Sequence, residues 1–234
     1  MILELKYKTV IPDQDMQAWC FILVLLINIS ENTAAVNTRY ILYDVNPGEG
    51  FNLRRDVYMR MAVFVRKLNL DDPDTGWVLV LPPWGHLYHW QSRDLGRQIQ
   101  IPWSQFFDVK SLNKYVPVIE FEEWIERAKG EVDSVYYLQG YKEGWGERFE
   151  EKYDIRDCLE PVRYKRRRDG RYSGQFFYYD EVSADQVQCL SVQGHTSVLS
   201  SFVRGQTGVS IMLDRAENLL HDFFGDADYW AARR

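Results

Sequence analysis

The sequence predicts an α/β fold, and three observations carry that expectation. Segments rich in β-forming residues alternate with helical patterns, the order expected of layered α/β architectures. Of those segments, 39–45 (RYILYDV) is rich in β-formers, and 77–81 (WVLVL) is a continuous apolar run, as in a strand covered on both faces. A glycine-containing turn, 46–50 (NPGEG), joins the first of them to a long helical stretch.

Taken in order, residues 39–45 form the first strand and 51–68 the first helix. Val57, Met61, Phe64, Val65 and Leu68 follow one another at offsets of four, three, one and three, which places them on one helical face. Arg54, Arg55, Arg60, Arg66 and Lys67 are left for solvent or ligand. Residues 77–81 form the second strand. Strand, glycine turn, helix, strand is a βαβ unit, for which right-handed parallel pairing is the default. Pro82, Pro83, Trp84 and Gly85 then mark a loop at the carboxyl end of that strand. Short strands at 118–120 and 135–138 flank a helix at 121–128, and Pro117 precedes the first of them, where a strand tolerates it. Residues 143–179 read as an irregular, polar and aromatic excursion. A strand at 189–192 (CLSV) ends at Gln193 and Gly194. Residues 214–224 (DRAENLLHDFF) read as a helix, with Ala216, Leu219, Leu220, Phe223 and Phe224 as its apolar residues. No repeat or low-complexity linker interrupts 36–234, so one domain is expected there.

The amino-terminal stretch reads as a targeting segment. Residues 18–27 (AWCFILVLLI) are an unbroken apolar run of ten, short of the roughly 20 that a membrane-spanning helix needs. They suit the apolar part of a secretory signal, with 33–35 (TAA) offering small residues for cleavage. A signal peptide over 1–35 is expected, with no stable membrane span. Residues 1–15 are an upstream extension if Met16 is the true start. The net charge of −6 argues against a general nucleic-acid binder, which needs a basic surface against phosphates. The run 163–168 (RYKRRR) is accordingly read as a solvated loop face, with contact to an acidic acceptor as its alternative. Cys20 lies in the signal, which leaves Cys158 and Cys189. In an oxidising compartment they either pair or remain two separate buried thiols.

The sharpest local signal lies between the first strand and its helix, at residues 46–52 (NPGEGFN). The first backbone N–H groups of a helix gather partial positive charge, which phosphate groups exploit. Glycine lets a ligand approach the backbone with no Cβ in the way. From spacing alone, phosphate contact and a plain turn both stand. Glu49 is unusual there, because a bound diphosphate disfavours its ionised form, as a general base working near neutral pH requires. A solvent-facing carboxylate at a helix start is the other reading. His86 and His89 lie three apart without a third ligand, so packing or hydrogen bonding is expected of them rather than a metal. His195 and His221 have no visible partner and receive no role. Trp84 and Trp90 either flank a peptide groove or pack the loop.

Several longer runs resemble one family. They are 43–60 (YDVNPGEGFNLRRDVYMR), 77–92 (WVLVLPPWGHLYHWQS), 101–108 (IPWSQFFD), 111–124 (with SLNK and PVIEFEEW), 189–194 (CLSVQG) and 212–222 (MLDRAENLLHD). Together they are similar to the GDP-fucose protein O-fucosyltransferases that modify thrombospondin type 1 repeats, and the run PPWGHLYHW sets them closest to that type. The resemblance implies a GT-B architecture, two Rossmann-like halves facing each other across a donor cleft. This chain corresponds to the first half. It further implies GDP-fucose as donor, folded thrombospondin type 1 repeats as acceptors, no metal, and the endoplasmic reticulum lumen as location. The family's catalytic base falls on Glu49, and its donor-contacting stretch on Gly48, Glu49, Gly50, Phe51 and Asn52. Its cysteine pair falls on Cys158 and Cys189. The family's second half, with a His-x-Arg element that grips the diphosphate, has no counterpart before Arg234. The chain alone is therefore expected neither to turn over nor to bind donor tightly. The alternative reading is a non-catalytic lumenal protein that binds thrombospondin-type repeats.

Overall fold

The first strand, β1, spans Asn37–Tyr43, so it starts and stops two residues before the run that predicts it. It ends early because Asp44 Oδ1 accepts the Val45 N–H at 2.7 Å and takes it from the ladder. The computed structural model describes residues 37–85, 87, 89, 96, 98–144, 146 and 148–222. The expected signal at 1–35, together with His86, Trp90, Phe223 and Phe224, lies outside the described residues. After β1 come α1 (Phe51–Asp71), β2 (Thr75–Leu81), a single turn α2 (Val109–Leu112), β3 (Val118–Glu120), α3 (Phe121–Ala128) and β4 (Glu131–Gln139). β5 (Lys152–Ile155), β6 (Lys165–Arg166), β7 (Tyr172–Ser173), β8 (Ser183–Gln193), α4 (Ser200–Arg204) and β9 (Ser210–Asp214) follow.

Six strands pair in parallel in the order β3-β2-β1-β9-β4-β8. From β1 the chain builds outward through β2 to β3, then crosses to β4 and β8 on the other side, and returns to insert β9 beside β1. The winding therefore reverses at β1. Beyond β8 the pairing turns antiparallel: β5 and β7 join the two ends of β8, and β6 joins β7.

Side chains alternate across the sheet with the period-two rule of a strand. Ile41, Tyr43, Trp77, Leu79, Leu81, Ile211 and Leu213 face one core with α1 and α4, which contributes Val203. Tyr40, Leu42, Val80 and Met212 face a second core with Phe121 and Trp124 of α3. Two covered faces explain why these strands read as continuous apolar runs rather than alternating ones.

Over 214–222, the described part of the helix expected at 214–224, no α-helix forms. Ser210–Asp214 is instead a strand at the centre of the sheet, buried throughout and paired on both edges. Arg215 then adopts a left-handed conformation (φ 63°), which no continuing helix accommodates, and only a short 3₁₀ turn follows at Ala216–Asn218. Ala216 and Leu219 still reach the main core, but by that turn. The segment 143–179 is less irregular than expected, because it holds β5, β6 and β7.

Candidate functional site

The site is built where the winding reverses. β1 ends at Tyr43, and the loop that follows makes one tight turn, with the Glu49 N–H donating to Asn46 O at 3.3 Å. Gly48 sits inside that turn at φ +88°, a conformation L side chains rarely adopt. Gly50, extended at ψ 170°, is the N-cap of α1, and no side chain caps the helix there. The first turn also carries no acidic residue. Its leading N–H groups are therefore free of a competing carboxylate, and partial positive charge collects at the opening.

An aromatic floor holds this helix start in place. Phe51, the first helical residue, stacks on Trp84 with ring centroids 4.6 Å apart, and Trp84 packs on Trp103 at 4.9 Å. Phe107 lies 4.9 Å from Trp103, so four rings join the start of α1 to the loop after β2. Trp103 is further tied by its indole N–H, which donates to Pro82 O at 2.7 Å. Trp84 exchanges two backbone hydrogen bonds with Ile101, at 2.7 and 2.9 Å. That pairing needs Gly85, where a Cβ would stand 2.8 Å from Gln98 O. Between the loop and this floor lies a cleft of about 60 Å³, lined by Asp44, Val45, Pro47, Gly48 and Arg54 and, across from them, by Pro83, Gln100 and Tyr178.

Glu49 is half-buried beside the opening. Its Oε1 accepts from Asn46 Nδ2 at 3.3 Å, and its carbonyl accepts from Arg54 Nε at 3.2 Å. Asn46 is itself held from β9: Arg215 Nη1 donates to Asn46 Oδ1 at 2.6 Å, and the Asn46 N–H donates to Glu217 Oε2 at 3.2 Å. Arg215 and Glu217 also form an ion pair, at 3.0 Å. Beneath them, Asp44 follows the last residue of β1 and Asp214 is the last residue of the adjacent β9. Burial, then the neighbouring Asp214, pushes the Asp44 carboxyl up to about 8. Burial raises Asp214 as well, against the Tyr164 hydroxyl, which donates to its Oδ2 at 2.9 Å. Burial likewise raises Glu217.

The expected donor-contacting residues are thus contiguous at one opening. Gly48 and Asn52 are exposed, Glu49 and Gly50 are half-buried, and the Phe51 side chain is turned into the aromatic floor. Trp84 is 1% exposed: it packs in that floor and lines the bottom of the cleft. The ring of His89 packs over Gly50, with a carbon 3.5 Å from where a Cβ would stand. Two residues expected to lack partners have them: His221 Nε2 lies 2.8 Å from Asp56 Oδ1, and His195 contacts the Glu151 carboxylate. Arg60 is not left for solvent or ligand, since it pairs with Asp56 and donates to Glu217 O at 3.2 Å. Cys158 and Cys189 form a disulfide, with Cα atoms 5.2 Å apart. Sequence reasoning missed Arg215 and Glu217. The departure of 214–218 (DRAEN) from the apolar spacing of a helix was the available signal. Among the described residues, no group of three or more His, Cys, Asp or Glu is placed to hold a metal, and no helix is long and apolar enough to cross a membrane.

A largely parallel sheet covered on both faces, with a crevice at the carboxyl ends of its strands, defines a class, the α/β domains. Comparison with known proteins narrows it. The model of the GDP-fucose protein O-fucosyltransferase family matches residues 40–202. The GDP-fucose protein O-fucosyltransferase 2 of Homo sapiens is 52% identical over 204 residues, covering 86% of this chain and 47% of that protein. The protein of the same name from Caenorhabditis elegans is 44% identical over 207 residues, with the same shares of 86% and 47%. That of Drosophila melanogaster is 41% identical over 217 residues, covering 83% of this chain and 43% of its own length. The chain belongs to the GDP-fucose protein O-fucosyltransferase family, a family of glycosyltransferases. It spans about half the length of the curated relatives it matches.

Proposed function

We propose that this chain carries the amino-terminal half of a protein O-fucosyltransferase of the endoplasmic reticulum lumen. On this reading the parallel sheet is the first Rossmann-like half of a GT-B enzyme, and residues 1–35 are its secretory signal. The donor is GDP-fucose, used without a metal, and the acceptor is a Ser or Thr hydroxyl of a folded thrombospondin type 1 repeat. The observation that carries the reading is the placement of Glu49 beside an uncapped start of a 21-residue helix, where the strand order reverses. Ligands of open α/β sheets settle at such a switch point, and phosphate suits such a helix start.

The chemistry follows from the geometry. The diphosphate lies against the backbone of Gly48–Asn52 and the helix start, which stabilise the negative charge that grows on the leaving group. Glu49 accepts the proton of the acceptor hydroxyl. The hydroxyl oxygen bonds to the anomeric carbon as the bond from that carbon to the diphosphate breaks, so GDP leaves and the configuration inverts. General-base assistance of this kind contributes about 10²–10⁴-fold.

Glu49→Ala tests the assignment, made in a chain that transfers fucose, either this one or a longer one containing it. Transfer falls by about 100-fold or more, while calorimetry shows donor affinity unchanged. Transfer near the unsubstituted rate would reject Glu49 as the base.

A further inference from the structure

We propose that Arg215 is the positioning residue for the Glu49 carboxylate and acts through the side-chain amide of Asn46. This rests on the reading of Glu49 as the base. Arg215 comes from the carboxyl end of β9, 169 residues from Asn46 in the chain, yet β9 is the immediate neighbour of β1 in the sheet. Its backbone is held at φ 63° and ψ 41°, a left-handed conformation that arginine avoids. Such conformations persist where the surroundings over-determine them, and they gather at functional sites. Here the surroundings are explicit. Asp214 Oδ1 accepts the Arg215 N–H at 2.8 Å, Glu217 pairs with the guanidinium at 3.0 Å, and the guanidinium lies 5.7 Å from the Tyr137 ring centroid.

The consequence is a defined polarity. A guanidinium only donates and a carboxylate only accepts, so a group between them must accept on one side and donate on the other. The Asn46 amide does so, with Oδ1 toward Arg215 at 2.6 Å and Nδ2 toward Glu49 Oε1 at 3.3 Å. Arg215 thereby fixes which way the amide points. Among the described residues, the other Glu49 oxygen, Oε2, has no hydrogen-bond partner. One oxygen is anchored and one is left to take a proton. The charged groups around this carboxylate are Arg54 on α1 and Arg215 and Glu217 after β9, and His89 packs over the adjoining Gly50.

Arg215→Gly separates positioning from structure, because glycine accepts φ 63° without penalty while the guanidinium is lost. In a fucose-transferring chain the expected result is kcat reduced about 10- to 100-fold at temperatures well below the variant's Tm, since a misplaced catalytic group costs that order. KM for GDP-fucose stays within about twofold, as for an interaction felt only in the transition state. Asn46→Asp is the second variant. It sets a carboxylate against Glu49 and moves the acid limb of the kcat profile to higher pH, as like charges require. Wild-type kcat in Arg215→Gly, or a kcat loss that only tracks a lower Tm in both variants, overturns the proposal. Glu49→Ala distinguishes the two failures: if that variant transfers fucose, the base assignment falls. If it is inactive while Arg215→Gly is normal, only the positioning role falls.

Discussion

At the carboxyl ends of β1 and β9 lie two carboxylates, half-buried Asp44 just past β1 and buried Asp214 closing β9, and Arg215 beside them is left-handed. On the far side of β8 the sheet ends differently. Strands of four and two residues cover its edge, and the Cys158–Cys189 disulfide ties the excursion to β8. The first region concentrates charge that burial opposes, on Asp44, Asp214 and Glu217. The second carries a covalent staple in place of a deep apolar core, with Ile155 and Leu159 left exposed. Stability is held back where chemistry is proposed and added where the fold would otherwise fray. Natural proteins break local rules at functional sites and compensate elsewhere.

The largest effect belongs to the aromatic floor that supports the first region. Trp84→Ala removes a fully buried indole between Phe51 and Trp103, and we expect a loss of about 3–5 kcal/mol by urea unfolding. Because Phe51 opens α1, the same variant also weakens donor binding. The Cys158→Ala/Cys189→Ala pair comes next. The two cysteines are 31 residues apart in the chain, so chain entropy assigns their bond about 3–4 kcal/mol. The double variant unfolds at lower urea but leaves donor affinity intact, since β9 and β4 stand between β8 and β1 in the sheet. If it lowered donor affinity as much as Trp84→Ala does, the two regions would not be independent, and the contrast between them would fail.

The sequence was most informative where local rules decide the outcome. The five apolar residues placed on one face of α1 are all 0% exposed, and β3 and α3 have the predicted bounds. The loop at Asn46–Asn52 was visible because its turn, its glycine and its helix start are contiguous. β9 was not. Its five residues are too few for periodicity to distinguish strand from helix, and its central place depends on pairing with β1 and β4, far away in sequence. Arg215 and Glu217 were hidden for the same reason, since they reach Asn46 only once β9 is seated. His221 was hidden likewise: its partner Asp56 lies 165 residues upstream.

The smallest effect sharpens the contrast from the side of charge. Asp44 is raised to about 8 by burial and by Asp214, whereas an unfolded aspartate titrates near 4. Between those values the folded chain binds a proton that the unfolded chain has released. Stability therefore falls as pH rises through that window and levels off above it. Asp44→Asn keeps an oxygen to accept the Val45 N–H at 2.7 Å and removes the ionisation. Each unit of such a shift corresponds to about 1.4 kcal/mol, but the Asp44 residue is only half-buried and solvent screens most of that. The variant should match the parent near pH 4 and exceed it by about 1–2 kcal/mol near pH 8, read from urea midpoints across the range. The opposite sign applies to Asp56. Burial works against its charge, but Arg60 and His221 hold it below the usual carboxylate range, so its contribution is present at neutral pH and lost on acidification. A variant that gains nothing on the parent between pH 4 and 8 would mean that Asp44 stays ionised. The switch-point region would then carry no electrostatic burden for the staple at β8 to offset.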